Sequence, residues 1–357
     1  MAHTNYHYVI DFFRDDGTAI AQVPVIADWM PALEWTHFDA VRHGQLPALT
    51  AVGLASRGTV EPVWHPQSGE PHVSGWRVEI AAHGTRVERT IPSSYFRGFA
   101  QQASGDLIDK GVLKQGDIFR YLVTAFLRSS PSIAAPPAHE LMVEEIEQPL
   151  ALDDQSLEAF FTGSVAAGAQ PLNGDMPVFV PAHVLDEAMA LARAAGDVET
   201  GGVLVGKLHR DAGVPEIFVE ITAQIPALHT ESASAKLTFT ADTWAAARAA
   251  IELRKRDELM ISWWHSHPDF CRLRQCPLAR RKQCTAASPF LSNEDVHLHA
   301  TCFGRAYQTA LLISDSTAEG LTCSLYGWRH GTVQPRGFHI LEADAKGMTH
   351  ATHTPHH

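Results

Sequence analysis

The sequence predicts an α/β protein in two parts: an N-terminal α+β domain, and a C-terminal domain in which strands and helices alternate. Three observations lead there. The chain has 357 residues, and single cores rarely grow beyond ~250–300 residues. Its composition breaks between Ser129 and Pro149, where Pro131, Pro136, Pro137 and Pro149 stand among small and acidic residues. Proline interrupts helices and central strands alike, so this stretch reads as a linker. Beyond it, apolar runs with strand character alternate with capped segments of helical period.

Residues 1–128 form the first domain. Trp76, Val78 and Ile80 alternate with Arg77 and Glu79, the period of a half-buried strand. His83-Gly84 is a turn signal, and Thr85–Ile91 after it completes a hairpin. Ile118, Phe119, Tyr121, Leu122 and Phe126 fall at helical spacing. His37, His43, His65, His72 and His83 show no metal-ligand spacing and read as ordinary surface or core residues.

The linker covers 129–150 and the second domain 151–340. After Pro181, Val184, Leu185, Ala188, Met189, Ala192 and Ala195 make an amphipathic helix that stops at Gly196. Thr200–Gly206 is a short apolar strand bounded by glycines, and Ile217, Val219 and Ile221 mark a second strand. Thr240-Ala241-Asp242-Thr243 signals a helix start, with Trp244, Ala247 and Ile251 on one face. Met260–Trp264, Ala310–Ser314 and Leu321–Tyr326 are further strands. Residues 341–357, with His350, His353, His356 and His357, read as a disordered tail.

Composition excludes some functions. A net charge of −12 argues against a nucleic-acid binder, which needs a basic surface to displace counterions from phosphates. Neither a signal peptide nor an apolar run of membrane-spanning length is visible, so no membrane partner and a cytoplasmic location are expected. The five cysteines, Cys271, Cys276, Cys284, Cys302 and Cys323, are odd in number and confined to the last quarter of the chain. That is a poor disulfide framework, and in a reducing compartment clustered cysteines more often hold metal. Cys302 and Cys323 lie in apolar sequence and read as core residues.

The chemistry concentrates in four pieces. His265-Ser266-His267-Pro268 leaves the Trp-rich strand, and residues i and i+2 of a strand share a face, so both imidazoles can reach one ion. Such a pair alone is a weak signal. In Ser292-Asn293-Glu294-Asp295, Ser292 is a good N-cap and Asp295 sits in the first helical turn. The plain reading is a helix cap. The sharper one makes Asp295 a third ligand and leaves a fourth position open, the pattern of catalytic zinc. Glu199, just before Thr200-Gly201-Gly202, is either a solvated strand-edge acid or the base that an open zinc site requires.

In order and context these pieces resemble the JAMM motif of MPN+/JAB zinc metallopeptidases: a Glu, then His-Ser/Thr-His-Pro, then Ser-x-x-Asp. Glu-Thr-Gly-Gly-Val-Leu-Val-Gly at Glu199 is similar to the family's context as well, and the resemblance covers residues 174–330 or so. It implies a cytidine-deaminase-like MPN domain, with a mixed β-sheet flanked by helices. It further implies zinc on His265, His267 and Asp295, Glu199 as general base and then acid, and Ser292 as a stabiliser of the oxyanion.

One departure stands out. Between His267 and Ser292 lie 24 residues, a far longer loop than the family's usual one. The insertion, 269–288, holds Cys271, Cys276 and Cys284. A loop without a core must be pinned, and a structural Cys₃His zinc would do that. Endosome-associated JAMM deubiquitinases carry a second zinc there with a His two residues beyond the ligand Asp. His297 matches that position, with His299 as the other option and a flexible loop with free thiols as the plain reading. The loop's Arg272, Arg274, Arg280, Arg281 and Lys282 read as solvated charge rather than a guide for an acidic substrate face.

By resemblance the expected activity is that of a zinc isopeptidase or peptidase. It would cut after the C-terminal Gly of a ubiquitin-like protein, in maturation or deconjugation. Similar bacterial members are encoded beside ubiquitin-like, activating (E1-like) and conjugating (E2-like) proteins, some in antiphage systems. The N-terminal domain would then bind the modifier or a partner. The alternatives are a non-catalytic MPN scaffold, and a JAMM peptidase acting on a sulfur-carrier protein or small conjugate.

Overall fold

The structure, a computed structural model, describes residues 6–65, 72–127, 146–172, 174–227, 230–233, 236–281, 284, 288–316 and 320–342. Most of the proline-rich linker, Lys282 and the tail from 343 onward lie outside them. The chain divides into two compact units, Met1–Leu150 with His330–Thr332, and Ala151–Arg329 with Val333–His357. Among the described residues no helix is long and apolar enough to cross a membrane.

The first unit contains strands β1 (Tyr6–Phe13) and β2 (Ala19–Val25), helices α1 (Met30–Arg42) and α2 (Leu54–Arg57), and strands β3 (Gly58–Trp64), β4 (Val73–Ala82) and β5 (Thr85–Pro92). A 3₁₀ turn (Ser93–Phe96), helix α3 (Arg97–Asp109) and strand β6 (Arg120–Leu127) complete it. Among its described residues two three-stranded sheets form, β2-β1-β6 and β3-β4-β5. The expected hairpin is β4–β5: Ala82 pairs with Thr85 across His83 and Gly84, whose φ angles are 49° and 72°. Positive φ at both central residues matches the strands' right-handed twist. Tyr8, Trp29, Trp76 and Phe96 make an aromatic core, Trp76 stacking on Phe96 at 4.6 Å.

Residues 118–126 contradict the helical expectation. From Arg120 they are strand β6, paired with β1 so that Val123 faces Ile10. The buried side chains are Val123, Thr124 and Ala125, whereas Ile118 is 77% exposed. Aromatic and branched residues three and four apart imitate a helix face, but pairing with a strand at the unit's far end settles the conformation.

The second unit begins with β7 (Leu152–Asp154), α4 (Leu157–Thr162), β8 (Ser164–Gly168), β9 (Val178–Pro181) and α5 (Ala182–Ala195). Strands β10 (Gly201–Asp211), β11 (Glu216–Pro226), β12 (Thr230–Ala233) and β13 (Lys236–Phe239) follow, then α6 (Ala241–Arg254) and β14 (Leu259–His267). Short helices α7 (Phe270–Leu273) and α8 (Leu278–Arg281) lead to α9 (Asn293–Cys302) and strands β15 (Thr309–Ser316), β16 (Gly320–Arg329) and β17 (Thr332–Leu341).

Among the described residues nine strands form one mixed sheet, ordered β11-β9-β17-β16-β15-β14-β10-β7, with β8 also on β17 and β11 returning to pair with β10. β14 runs antiparallel to β10 and parallel to β15. Helix α5 buries Val184, Leu185, Ala188 and Ala192, as its periodicity predicts, and ends at Gly196 with φ 65°. Helix α6 starts at Thr240 through a capping box with Thr243. Its Trp244, Ala247 and Ile251 pack on Val203 and Val205 of β10. Strand β17 escapes the sequence patterns because Pro335 interrupts it; that residue is exposed, where a strand tolerates proline. At Gly202 and Gly206 of β10 a Cβ would lie 2.4 Å from the Ile225 carbonyl oxygen and 2.0 Å from that of Glu220. Only glycine lets β11 approach so closely.

Candidate metal centre

Three segments bring the candidate side chains together. Strand β14 places His265 and His267 on one face, their Nε2 atoms 3.1 Å apart. Its pairing on both edges holds their spacing. The His265 ring stacks on Trp263 at 4.7 Å, and Trp263 is part of a core with Phe239, Phe303, Leu312 and Tyr326. His267 meets the rings of Phe270 at 5.4 Å and Phe290 at 5.2 Å. Trp263 is fully buried, and burying a large apolar side chain stabilises by roughly 1.5–3 kcal/mol, so the His265 ring rests on a rigid support; Phe270 is half-buried and Phe290 exposed.

The third ligand-type group comes from the start of α9. The Ser292 hydroxyl accepts the Asp295 N–H at 3.1 Å, and Asp295 Oδ2 accepts the Ser292 N–H at 2.7 Å. This reciprocal cap fixes the carboxylate, with Oδ1 3.5 Å from His265 Nε2 and Oδ2 3.8 Å from His267 Nε2.

Glu199 stands just before β10, 6% exposed, with Oε1 4.0 Å from His267 Nε2. Its position is set by Ser266, which the sequence reading passed over. The Thr200 N–H donates to Ser266 Oγ at 3.0 Å, and the Ser266 N–H donates to the Thr200 carbonyl at 2.8 Å. The hydroxyl between the two histidines therefore ties their strand to the residue after Glu199. The only signal for it in sequence is a hydroxyl residue at the end of an apolar run.

Electrostatics divides the labour among these groups. Burial, reinforced by Asp295 and Glu294, pushes the Glu199 carboxyl up to about 7. Burial and the neighbouring His265 lower His267 to about 4, so its imidazole is neutral and its lone pair available. Burial opposes the charge on Asp295, but His265 and the hydrogen bonds of Ser292 hold that carboxyl down at about 2.

The ligand atoms of His265, His267 and Asp295 all lie within 4.8 Å of one another. Tetrahedral zinc with bonds of 2.0–2.1 Å sets its ligand atoms about 3.3–3.4 Å apart. Two imidazoles and one carboxylate at these separations fit that ion, with a fourth position left for solvent or substrate.

Residues 181–271 match the family model of prokaryotic homologs of the JAB domain. The chain carries a JAB/MPN-type domain. The matched span contains Glu199, His265 and His267 and ends before Ser292 and Asp295, so the place of Asp295 beside the histidines rests on tertiary geometry alone. Among curated proteins none matches the chain. The solution structure of protein DSY2949 from Desulfitobacterium hafniense is similar at 20% identity, over 50% of this chain and 99% of that one, with a TM-score of 0.34.

This group of side chains borders a pocket of about 680 Å³, with Glu199, His267, Ser292 and Asp295 in its lining. Thr238 and Phe239 of β13, Phe270, Arg274 and Phe290 line it too. Nothing in sequence periodicity points to these wall residues, because they come from a hairpin, from the insertion and from the residues just after it.

The other candidates sort differently. Cys271, Cys276 and Cys284 come together with all sulfur atoms within 4.8 Å. His297 is not in that group; it is exposed and lines the pocket instead. Nor is His299 there. Fully buried, it accepts the Trp263 Nε1–H at Nδ1 (3.1 Å) and stacks on Phe303, and burial drives its pKa down to about 3. Two residues apart on a helix, 297 and 299 face different surroundings, and neither joins the cysteine group. Cys302 is no core residue: it is exposed and lines the pocket. Of the loop's arginines, Arg272 pairs with Asp197, Arg281 donates to the Cys276 carbonyl at 3.0 Å, and Arg274 lies over Phe270.

Proposed function

We propose that the JAB domain is a zinc-dependent peptidase or isopeptidase that cleaves after the C-terminal glycine of a ubiquitin-like protein. The observation that carries this reading is the Glu199 carboxyl, buried beside His265, His267 and Asp295 at the edge of one pocket. A scaffold has no use for a desolvated acid facing three ligand-type atoms.

Zinc held by His265, His267 and Asp295 supplies Lewis acidity, which polarises a carbonyl and lets water give up its proton near neutral pH. The chain's own residues do the rest. Glu199, with its carboxyl near 7, accepts a proton from the attacking water and returns it to the leaving amine. The Ser292 hydroxyl spends one lone pair as a helix cap and still has its proton to donate to the developing oxyanion. Phe270 and Phe290 flank the His267 ring at the pocket wall. Strand β13 pairs with β12 among the described strands and borders the pocket through Thr238 and Phe239. A thin glycine tail can extend along that edge by strand addition.

The direct test offers the zinc-loaded full chain a linear fusion and an isopeptide conjugate of a ubiquitin-like protein ending in Gly-Gly. Cleavage after the last glycine is expected, lost on chelation and restored by zinc. Cleavage only of sulfur-carrier fusions or small conjugates would move the substrate class. No cleavage by fully loaded protein would leave the scaffold.

Ser292→Ala separates its two duties. Loss of the cap lowers stability by about 1 kcal/mol, read from denaturant unfolding. Loss of an oxyanion donor lowers kcat by about 10²-fold at unchanged zinc content. A stability change with wild-type kcat would reduce Ser292 to a cap.

A further inference from the structure

Apart from the JAB site, the described residues contain one other group with metal-ligand character, the thiols of Cys271, Cys276 and Cys284. We propose that these three cysteines bind a second soft divalent metal ion, of the zinc class, which fixes the insertion as a wall of the pocket. This proposal stands whether or not the JAB site hydrolyses peptides.

The chain builds the cluster with its own backbone. Asp269 caps α7 by accepting the Arg272 N–H at 2.8 Å. The helix ends at Leu273, Gln275 beyond it has a φ of 52°, and the Cys276 N–H then donates to the Cys271 carbonyl at 2.9 Å. After α8, the Cys284 N–H donates to the Arg281 carbonyl at 3.2 Å. Two helical turns and a left-handed residue thus bring three sulfurs separated by four and seven residues within 4.8 Å of one another. Sulfur atoms on a tetrahedral zinc lie about 3.8 Å apart, inside that limit.

Burial shows why the segment needs an ion. Between Phe270 and Phe290 the one buried side chain among those described is Cys271, and one small side chain cannot offset the entropy of ordering such a stretch. Metal–thiolate bonds can, with the thiol protons leaving as the ion binds. Among the described residues the protein adds no fourth ligand, since His297 faces the pocket and His299 is held by Trp263. The fourth position falls to solvent or a small exogenous ligand. Phe270 adjoins Cys271 and packs on His267 at 5.4 Å, with Arg274 over its ring at 6.0 Å. Holding Cys271 therefore holds the pocket wall.

Metal content, cobalt(II) spectra and hydrogen exchange of the purified full chain test this. Wild type is expected to bind two equivalents of zinc, and His267→Ala with Asp295→Ala to keep one. Cobalt in that double variant should show thiolate-to-cobalt charge transfer, which imidazole and carboxylate ligands cannot give. Cys276→Ser with Cys284→Ser should lose that band, keep the JAB-site metal and exchange faster across 269–281. A His267/Asp295 variant with neither metal nor thiolate band would overturn the site, even if the cysteine variant fails to fold. So would a disulfide among the three, or rapid reaction of all three with a thiol reagent in native protein. Unchanged exchange across 269–281 in the folded cysteine variant would overturn the tethering role.

Discussion

Glu199→Gln lowers kcat by ~10²–10⁴-fold, the usual effect of removing a general base, and leaves the zinc content unchanged. Glutamine keeps the volume and hydrogen-bonding shape of the side chain but cannot take a proton. Glu199 lies 4.0 Å from His267 Nε2 and outside the three-ligand group, so the ion should stay when the carboxylate goes. Burial and the acids around it favour its neutral form, so the uncharged amide suits the site and the fold should not suffer. Kinetics on a ubiquitin-like fusion, with metal analysis of the same preparation, decides the matter. Wild-type kcat in the variant would remove Glu199 from the mechanism. Loss of zinc together with activity would recast it as a ligand or a structural support.

Asp295→Ala has the larger effect, because one carboxylate serves two purposes. It faces His265 and His267 at 3.5 Å and 3.8 Å, and it closes the capping box of α9 through the Ser292 N–H. Alanine removes both functions: the JAB-site equivalent of metal and all cleavage are lost. The metal-free variant should also be less stable than metal-free wild type by about 1 kcal/mol. Asp295→Asn separates the two roles. Its amide oxygen can still accept the Ser292 N–H, so metal-free stability stays near wild type, while the charge that balances the ion is gone. Zinc content, cleavage and chemical denaturation of all three proteins after chelation give the comparison. An Asp295→Asn protein that holds zinc like wild type and still cleaves would show that the carboxylate charge is not needed, and the His/His/Asp assignment would fail.

The parts legible in sequence are those that neighbours along the chain control. His83-Gly84 specifies its hairpin because both positions accept positive φ. Thr240 and Ser292 mark helix starts because their hydroxyls cap N–H groups three residues away. The pair His265 and His267 shares a face because strand side chains alternate. Where the deciding partner is distant, local rules fail. Ile118 to Phe126 have helical spacing, yet from Arg120 they pair with β1 as a strand, and Pro335, exposed ahead of the stretch that pairs with β8, hides β17. The fourth ligand of the cysteine group is the clearest instance. The offset of His297 from Asp295 points to it as that ligand, but its ring lines the pocket and lies outside the three-sulfur group.

The sequence by itself determined the candidate ligand residues, their order along the chain and the local elements that present them, since capping, alternation and turn geometry act over a few residues. Only the tertiary structure decided that Ser266 ties Glu199 beside the histidines, that Asp295 meets them from another element, and that Phe270 and Phe290 enclose the pocket. Those placements depend on pairing β14 with β10 and β15 and on docking α9 against the Trp263 core. They are long-range contacts, chosen by the free energy of the whole packed unit rather than by any short stretch of chain.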